Sequence, residues 1–310
     1  MIKYYWAVLL MAGCLACAKE ETPPPPPPTE PEPEVPVPLP ERVLLTKIKD
    51  VIVGSPTDTT WQIITYNKDS TIAFYRHLRT SSRYTDTFFN NFYPTYEMGK
   101  LIGIEQLGNG QPKKVPMFNF EYENGKPRYY REFLLTSTEY AETLEGVWGS
   151  FEFNAPGGQL SLYWEDKFVL EYGYRNELTW TNNNISELKQ FRVQGGVSTL
   201  SARLVFTYGT QVNSLKSMVR DAFLWHLAYF TQRTEFDGYA SLNQNLYTRL
   251  EHFSGKGSLA YLTDVQYFVS DKQVLDSALY TVKEYGANGR VLTTIQRKRY
   301  FVYENVNRPE

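Results

Sequence analysis

An all-β fold, built as a large curved antiparallel meander sheet or incomplete barrel, is what this sequence predicts, and three observations predict it. Aromatic residues make up 15% of the 310 positions, with 24 Tyr and 18 Phe, and aromatic side chains favour the half-buried pleated surface of a strand. Short runs of alternating polar and apolar residues recur through residues 41–310, each closed by Asn, Gly, Asp or Ser. The turn signals fall roughly every eight to twelve residues, the spacing of hairpins in series.

The first element is a leader. Met1-Ile2-Lys3 is a short positive start, and residues 4–16 are apolar and uncharged. That run suits the apolar centre of a signal peptide and falls short of the ~20 residues a membrane-spanning helix needs. It runs into Cys14-Leu15-Ala16-Cys17. Small residues ending in a cysteine resemble a lipobox, where cleavage precedes a cysteine that is then acylated. Cys14 follows Leu10-Met11-Ala12-Gly13, a good local box, but cleavage there leaves a very short signal and a second thiol nearby. Cys17 has Ala16 before it and Lys19-Glu20-Glu21 after it, a pattern that resembles the export signal of surface lipoproteins in Bacteroidota. Cys17 is therefore the expected attachment site, with Cys14 the alternative. Residues 1–16 are read as signal and 17–40 as lipidated N-terminus and spacer. The resulting address is the outer membrane facing the cell surface, with the periplasmic face as the alternative.

The spacer comes next. Eleven prolines occupy residues 22–40. Proline fixes φ and lacks an amide donor, so the stretch builds neither helix nor central strand. An extended polyproline rod of about 60 Å follows from about 3.1 Å per residue. A stalk beside an anchor explains it better than a ligand for another protein's groove. Glu21, Glu30, Glu32 and Glu34 repel one another and extend it further.

The body, residues 41–310, is read as one domain of hairpin units. Trp61-Gln62-Ile63-Ile64-Thr65-Tyr66 meets Asn67-Lys68-Asp69-Ser70, and Phe118-Asn119-Phe120-Glu121-Tyr122 meets Glu123-Asn124-Gly125-Lys126. Leu178-Thr179-Trp180-Thr181 meets Asn182-Asn183-Asn184, and Tyr280-Thr281-Val282-Lys283-Glu284-Tyr285 meets Gly286-Ala287-Asn288-Gly289. Side chains alternate faces along a strand, and Asn-Gly tolerates the positive φ of a two-residue type I′ turn. About a dozen or more strands are expected, and a sheet that large must curl, split or close. Residues 213–230 break the alternation, with Leu215, Met218, Ala222 and Trp225 at helical spacing, and residues 241–252 form a second such stretch. One or two short helices or packed loops are therefore expected within 213–252.

Several units carry a resemblance. Tyr96-Glu97-Met98-Gly99-Lys100-Leu101, Tyr122-Glu123-Asn124-Gly125-Lys126 and Tyr285-Gly286-Ala287-Asn288-Gly289-Arg290 are similar to the YD-type hairpin repeats of Bacteroidota lipoproteins that carry a domain of unknown function with a porin-like fold. Phe206-Thr207-Tyr208 with Asn213-Ser214-Leu215 resembles the passage from strand to loop in that family, whereas Trp164-Glu165-Asp166-Lys167 departs from its Tyr-Asp core. The resemblance implies a curved antiparallel sheet on a surface or periplasmic lipoprotein, and no catalytic residues. It does not imply a pore. A membrane barrel needs an apolar band outside and a polar interior, and an embedded protein has no use for a lipid anchor and a stalk.

Chemistry is sparse. The net charge of −2 gives no electrostatic case for nucleic acid. Both cysteines lie within the first 17 residues, which leaves the body without a disulfide framework or thiolate metal site. His77, His226 and His252 show no ligand spacing, and no nucleophile elbow, phosphate loop or calcium loop occurs. No cofactor is expected. Glu165 with Asp166, Glu121 with Glu123, and Glu142 with Glu145 are the carboxylate pairs a glycosidase would need, and each reads more simply as a solvated turn or the wet face of a strand. Tyr163, Trp164, Trp180 and Trp148 are the candidates for stacking on a sugar face, by residue type. The expected function is thus a noncatalytic surface module, not an enzyme, binding a glycan or an outer-membrane protein partner. An accessory of envelope assembly is the alternative, and a glycoside hydrolase is the third reading.

Overall fold

The chain divides into two units, Met1–Pro40 and Glu41–Glu310. The computed structural model describes residues 42–306 except 82–83, 138–141, 155–158, 168–170, 214–223, 225–241 and 271–273. The signal and spacer read into residues 1–16 and 17–40, Cys17 and Cys14 included, lie outside the described residues.

Sixteen strands make up the second unit: β1 (Arg42–Ile52), β2 (Ser55–Tyr66), β3 (Ile72–Ser81), β4 (Tyr84–Glu97), β5 (Lys100–Gly108), β6 (Val115–Glu123), β7 (Lys126–Ser137), β8 (Glu142–Phe153), β9 (Leu160–Lys167), β10 (Tyr172–Thr181), β11 (Asn184–Gln194), β12 (Val197–Val212), β13 (Asn245–Ser254), β14 (Leu259–Val269), β15 (Leu275–Tyr285) and β16 (Val291–Val306). Each pairs antiparallel with its neighbours in sequence, and β1 pairs with β16 from Arg42↔Val306 to Ile52↔Arg297. The sheet is therefore a closed barrel, which corrects the expected open sheet or incomplete barrel. Alternation along a strand reports which face is buried but not which strand lies at its edge. Closure removes the two edges a sixteen-strand meander would otherwise expose.

The expected turn chemistry is present. Asn124 and Gly125 both take positive φ between β6 and β7, and Asn182 and Asn183 do so between β10 and β11. Met98 and Gly99 repeat the geometry between β4 and β5. The helix expected over 213–230 lies outside the described residues apart from Asn213 and Leu224. Leu224 has helical backbone and is buried in the core cluster. The stretch 241–252 is corrected: residues 245–252 belong to β13, whose backbone pairs with both β12 and β14. Its apolar residues satisfy either period over so short a window, and the ladder on two sides decides.

A single closed layer can bury side chains only on its inside. In β6, Phe118 and Phe120 are buried while Asn119 and Glu121 are exposed. A regular cylinder of sixteen strands leaves an aqueous channel. Here the interior towards one end is packed: Leu101, Phe118, Phe151 and Ile185 are 0% exposed, and they join one core cluster drawn from strands all round the barrel.

One end of that interior carries an aromatic ring. All even-numbered strands run in the same direction, and each brings one aromatic side chain near its last residues: Tyr66, Tyr96, Tyr122, Phe153, Trp180, Tyr208, Tyr267 and Tyr303. All eight pack against the core. Four of them tie the ring to the start of the preceding strand. Tyr66 donates to the Leu45 carbonyl at 2.6 Å, Tyr122 to Leu101 at 3.0 Å, Trp180 to Leu160 at 2.7 Å and Tyr208 to Ile185 at 2.8 Å. The hairpin repeat in the sequence is the trace of this pattern, one aromatic ring per two strands, polar-tipped in all but Phe153.

Candidate functional site

Polarity is graded along the barrel interior. Away from the aromatic ring, where odd strands end and even strands begin, inward positions become charged. Parity along the strands places Asp50, Glu132, Glu165, Lys167 and Arg299 inside. Buried charges require partners, and two clusters supply them.

The first cluster spans β7 to β11. Tyr163, Glu165 and Lys167 face inward from β9, and Tyr172, Tyr174 and Asn176 from β10, with Tyr174 opposite Glu165 and Asn176 opposite Tyr163. Gln190 and Arg192 extend it on β11. Between β7 and β9 stands Gly149 of β8, paired with Tyr130 on one side and Glu165 on the other. The Tyr130 ring lies in the space its missing side chain leaves, since a Cβ there would fall 1.8 Å from Tyr130 Cε1.

The electrostatics follow from this packing. Glu165 is 7% exposed, and burial pushes its carboxyl up to about 7, against the pull of Lys167 and with the push of the Glu132 charge. Glu132 is itself raised by burial, opposed by Lys167. The Lys167 ammonium lies 3.9 Å from Glu165 Oε2, a long contact. Burial, together with the neighbouring Tyr172 hydroxyl, raises Tyr174. Tyr172 and Tyr174 meet edge to face at 5.5 Å, with the Arg192 guanidinium 4.3 Å over Tyr172 and Lys167 5.4 Å over Tyr174. Asn176 is 0% exposed and accepts from Gln190 Nε2 at 3.0 Å through Oδ1, and its Nδ2 has no partner. The patch can hydrogen-bond a polar ligand, and it pairs a carboxyl held near neutrality with a second carboxyl two strands away.

The second cluster lies at the seam. Arg299 of β16 grips Asp50 of β1, and its guanidinium sits 5.0 Å over the Tyr280 ring. Its donors face partners within the wall, which marks the cluster as structural.

The outer wall is charged. Glu121 and Arg131 pair at 2.8 Å, Arg175 and Glu177 at 3.0 Å, Glu187 and Lys189 at 3.1 Å, and Arg249 and Asp264 at 3.0 Å. Arginines also cover outward rings, as Arg131 does Trp148 at 5.2 Å and Arg175 does Phe191 at 4.8 Å. A basic side chain facing lipid near the midplane costs about 2–4 kcal/mol. The outer wall carries these ion pairs and covered rings together with exposed Leu135, Leu144, Trp148, Phe268 and Val302.

The four aromatics singled out by residue type separate accordingly. Trp148 is outward and 44% exposed, with its indole N–H donated to Glu145. Trp164 is outward on β9 and lies against Gly173, where a Cβ would come 3.3 Å from its Cζ2. Tyr163 is buried in the core and Trp180 belongs to the aromatic ring, so neither offers a face on the outer wall. The four do not form one strip. Nor do the carboxylate pairs survive as pairs. Glu165 points in while Asp166 points out, and Glu121 and Glu123 turn outward to Arg131 and Arg128. Glu142 is exposed and Glu145 holds Trp148. Glu132, whose charge bears on Glu165 from across β8, lies far from it in sequence. The one local signal was parity, since Glu165 shares a face with Tyr163. His252 stacks on Tyr261 at 5.6 Å, with burial lowering its pKa. His77 is half-buried on β3, and His226 lies outside the described residues. Among the described residues no group of three or more His, Cys, Asp or Glu could hold a metal ion.

No protein-family model and no curated protein sequence matches this chain. Solved structures do. A porin-like protein from Bacteroides uniformis superposes with a TM-score of 0.56 at 13% identity, covering 84% of this chain and 98% of that one. A porin-like protein from Bacteroides vulgatus gives a TM-score of 0.48 at 13% identity, over 86% and 100% of the two chains. At such identity the first likeness establishes a shared barrel fold.

Proposed function

We propose that this chain is an outer-membrane lipoprotein, acylated at Cys17 and facing the cell surface, whose barrel is a noncatalytic binding module for a glycan or a partner protein. The polarity of the wall carries the reading. A barrel with ion pairs outside and aromatic residues inside does not hold itself in lipid, so a tether has to supply the membrane attachment. The cysteine box and the proline-rich spacer are the sequence features suited to that task. Acyl chains contribute roughly 0.8 kcal/mol per buried methylene, and more than one chain is needed for lasting attachment.

Two measurements test the proposal. Metabolic labelling with a palmitate analogue should mark the wild type and not Cys17→Ala; loss of label on Cys14→Ala alone would reassign the anchor. Surface plasmon resonance of the purified protein against glycans and purified outer-membrane proteins should return a saturable ligand. A blank across both classes would end the binding-module reading.

One observation favours a second reading. Glu165, held near neutrality beside Glu132, has the acid–base character of a glycosidase pair. Release of new reducing ends from a glycan, lost in both Glu165→Gln and Glu132→Gln, would establish hydrolysis.

A further inference from the structure

We infer that the interior of the barrel, at the end opposite the aromatic ring, binds a neutral polyhydroxylated ligand, the terminal sugar of a glycan, with Glu165 and Asn176 as its anchoring groups. The inference rests on the binding-module reading and names the place and chemistry of that module's ligand.

Two unmatched groups define the site. Asn176 is fully buried, and its Oδ1 is turned to Gln190 on β11. Its Nδ2 has no partner. On β9, one inward step beyond the register partner of Asn176, stands the buried Glu165, whose described contact is the long one to Lys167. Diagonal neighbours on one face of a sheet lie roughly 7–8 Å apart. An amide donor without an acceptor and a buried carboxyl, whose described contact is the 3.9 Å one to Lys167, thus stand on either side of that diagonal gap. Leaving either unmet in the interior is unfavourable.

The pair selects the ligand by elimination. An anion would satisfy Asn176 and be drawn by Lys167, but it offers the Glu165 carboxyl no donor. A cation would satisfy Glu165, leave the amide without an acceptor and be repelled by Lys167. A hydroxyl accepts from Nδ2 and donates to the carboxylate at once. Tyr172 and Tyr174 stand beside the gap, and ring edges and faces pack well on the C–H surface of a sugar. On the same side Lys167, Tyr172 and Tyr174 are half-buried and Arg192 is exposed.

The test uses the full-length protein in detergent. Native gels cast with yeast mannan, laminarin, dextran or xylan report retardation, and calorimetry with the matching oligosaccharide gives affinities. The wild type should be retarded by at least one of the four. Glu165→Gln and Asn176→Ala should each bind about tenfold more weakly or worse, the scale of a lost charge-assisted or buried hydrogen bond. Trp148→Ala, on the outer wall, should bind as the wild type does. The oligosaccharide should also slow hydrogen exchange in β9 and β10 of the unaltered protein, a readout independent of any variant's folding. Binding that persists in both interior variants but fails in Trp148→Ala would move the site to the outer wall and overturn the inference, while the binding-module reading stands. The inference is likewise overturned, and the binding module kept, if no glycan binds and a purified outer-membrane protein does. If neither class binds, both fall.

Discussion

Asp50 of β1 and Arg299 of β16 face each other in register across the seam that closes the barrel, with Arg299 Nε 2.6 Å and Nη2 3.0 Å from the two carboxylate oxygens of Asp50. The residues are 249 positions apart, and both side chains are largely buried. Bidentate geometry fixes orientation as well as distance, so the pair specifies the register in which first and last strands meet.

Breaking one half of that pair should cost more than deleting both. Arg299→Met leaves the Asp50 carboxylate buried without its partner, and about 3–5 kcal/mol of stability should be lost. The double variant Asp50→Leu with Arg299→Met should recover most of it. Urea unfolding of the wild type, Arg299→Met, Asp50→Leu and the double variant measures the coupling; additive losses would mean that the seam closes without this contact.

Stability should decline as pH rises through neutrality. Glu165 titrates near 7 in the folded protein because burial disfavours its charge, whereas an unfolded Glu titrates near ~4.3. Between those values the folded state binds more protons than the unfolded state, so the free energy of unfolding falls with pH across that window and levels off above it. The loss should be on the order of 3 kcal/mol. Glu165→Gln should flatten the profile and exceed the wild type at pH ~8. An unchanged slope in that variant would assign the titration elsewhere.

Gly149→Ala should be destabilising through one neighbour. The added methyl would meet the Tyr130 ring, which is buried at 2% exposure and tilted against Phe151 at 5.3 Å. Overpacking of this kind costs about 1–3 kcal/mol. Adding Tyr130→Leu should make the alanine tolerable, and thermal melts of single and double variants will show whether the two changes couple.

Met98→Asn should stabilise the protein. Met98 is 93% exposed with φ of 48°, in a two-residue turn completed by Gly99. A side chain other than Asn or Gly in that conformation costs roughly 1 kcal/mol, and Met98 covers nothing in return. A gain of about 0.5–1 kcal/mol is expected. A lower denaturant midpoint would show that Met98 makes a contact in solution.

Much of the wall is legible in particular residues. Phe118, Phe120 and Tyr122 alternate with Asn119, Glu121 and Glu123, and that alone sets which face is dry. Asn124-Gly125 and Asn182-Asn183 announce their turns, because few residues tolerate positive φ twice in succession. Residues 245–252 disguise a strand, since Leu246, Leu250 and His252 fit more than one period over so short a run. The candidate site is hidden for a related reason. Glu165-Asp166-Lys167 looks like a solvated turn, and only the ladder shows that Glu165 turns inward while Asp166 does not.

The sequence by itself determined most of the strands, with β13 the exception, together with their faces, their turns and the repeated aromatic residue that becomes a ring, because each depends on neighbours a few positions away. Tertiary structure alone decided that Arg42 meets Val306, that Asp50 meets Arg299, and that Glu132, Glu165 and Asn176 share one buried patch. Those relations join distant parts of the chain, and their energies come from closure and from desolvation, which no local pattern encodes.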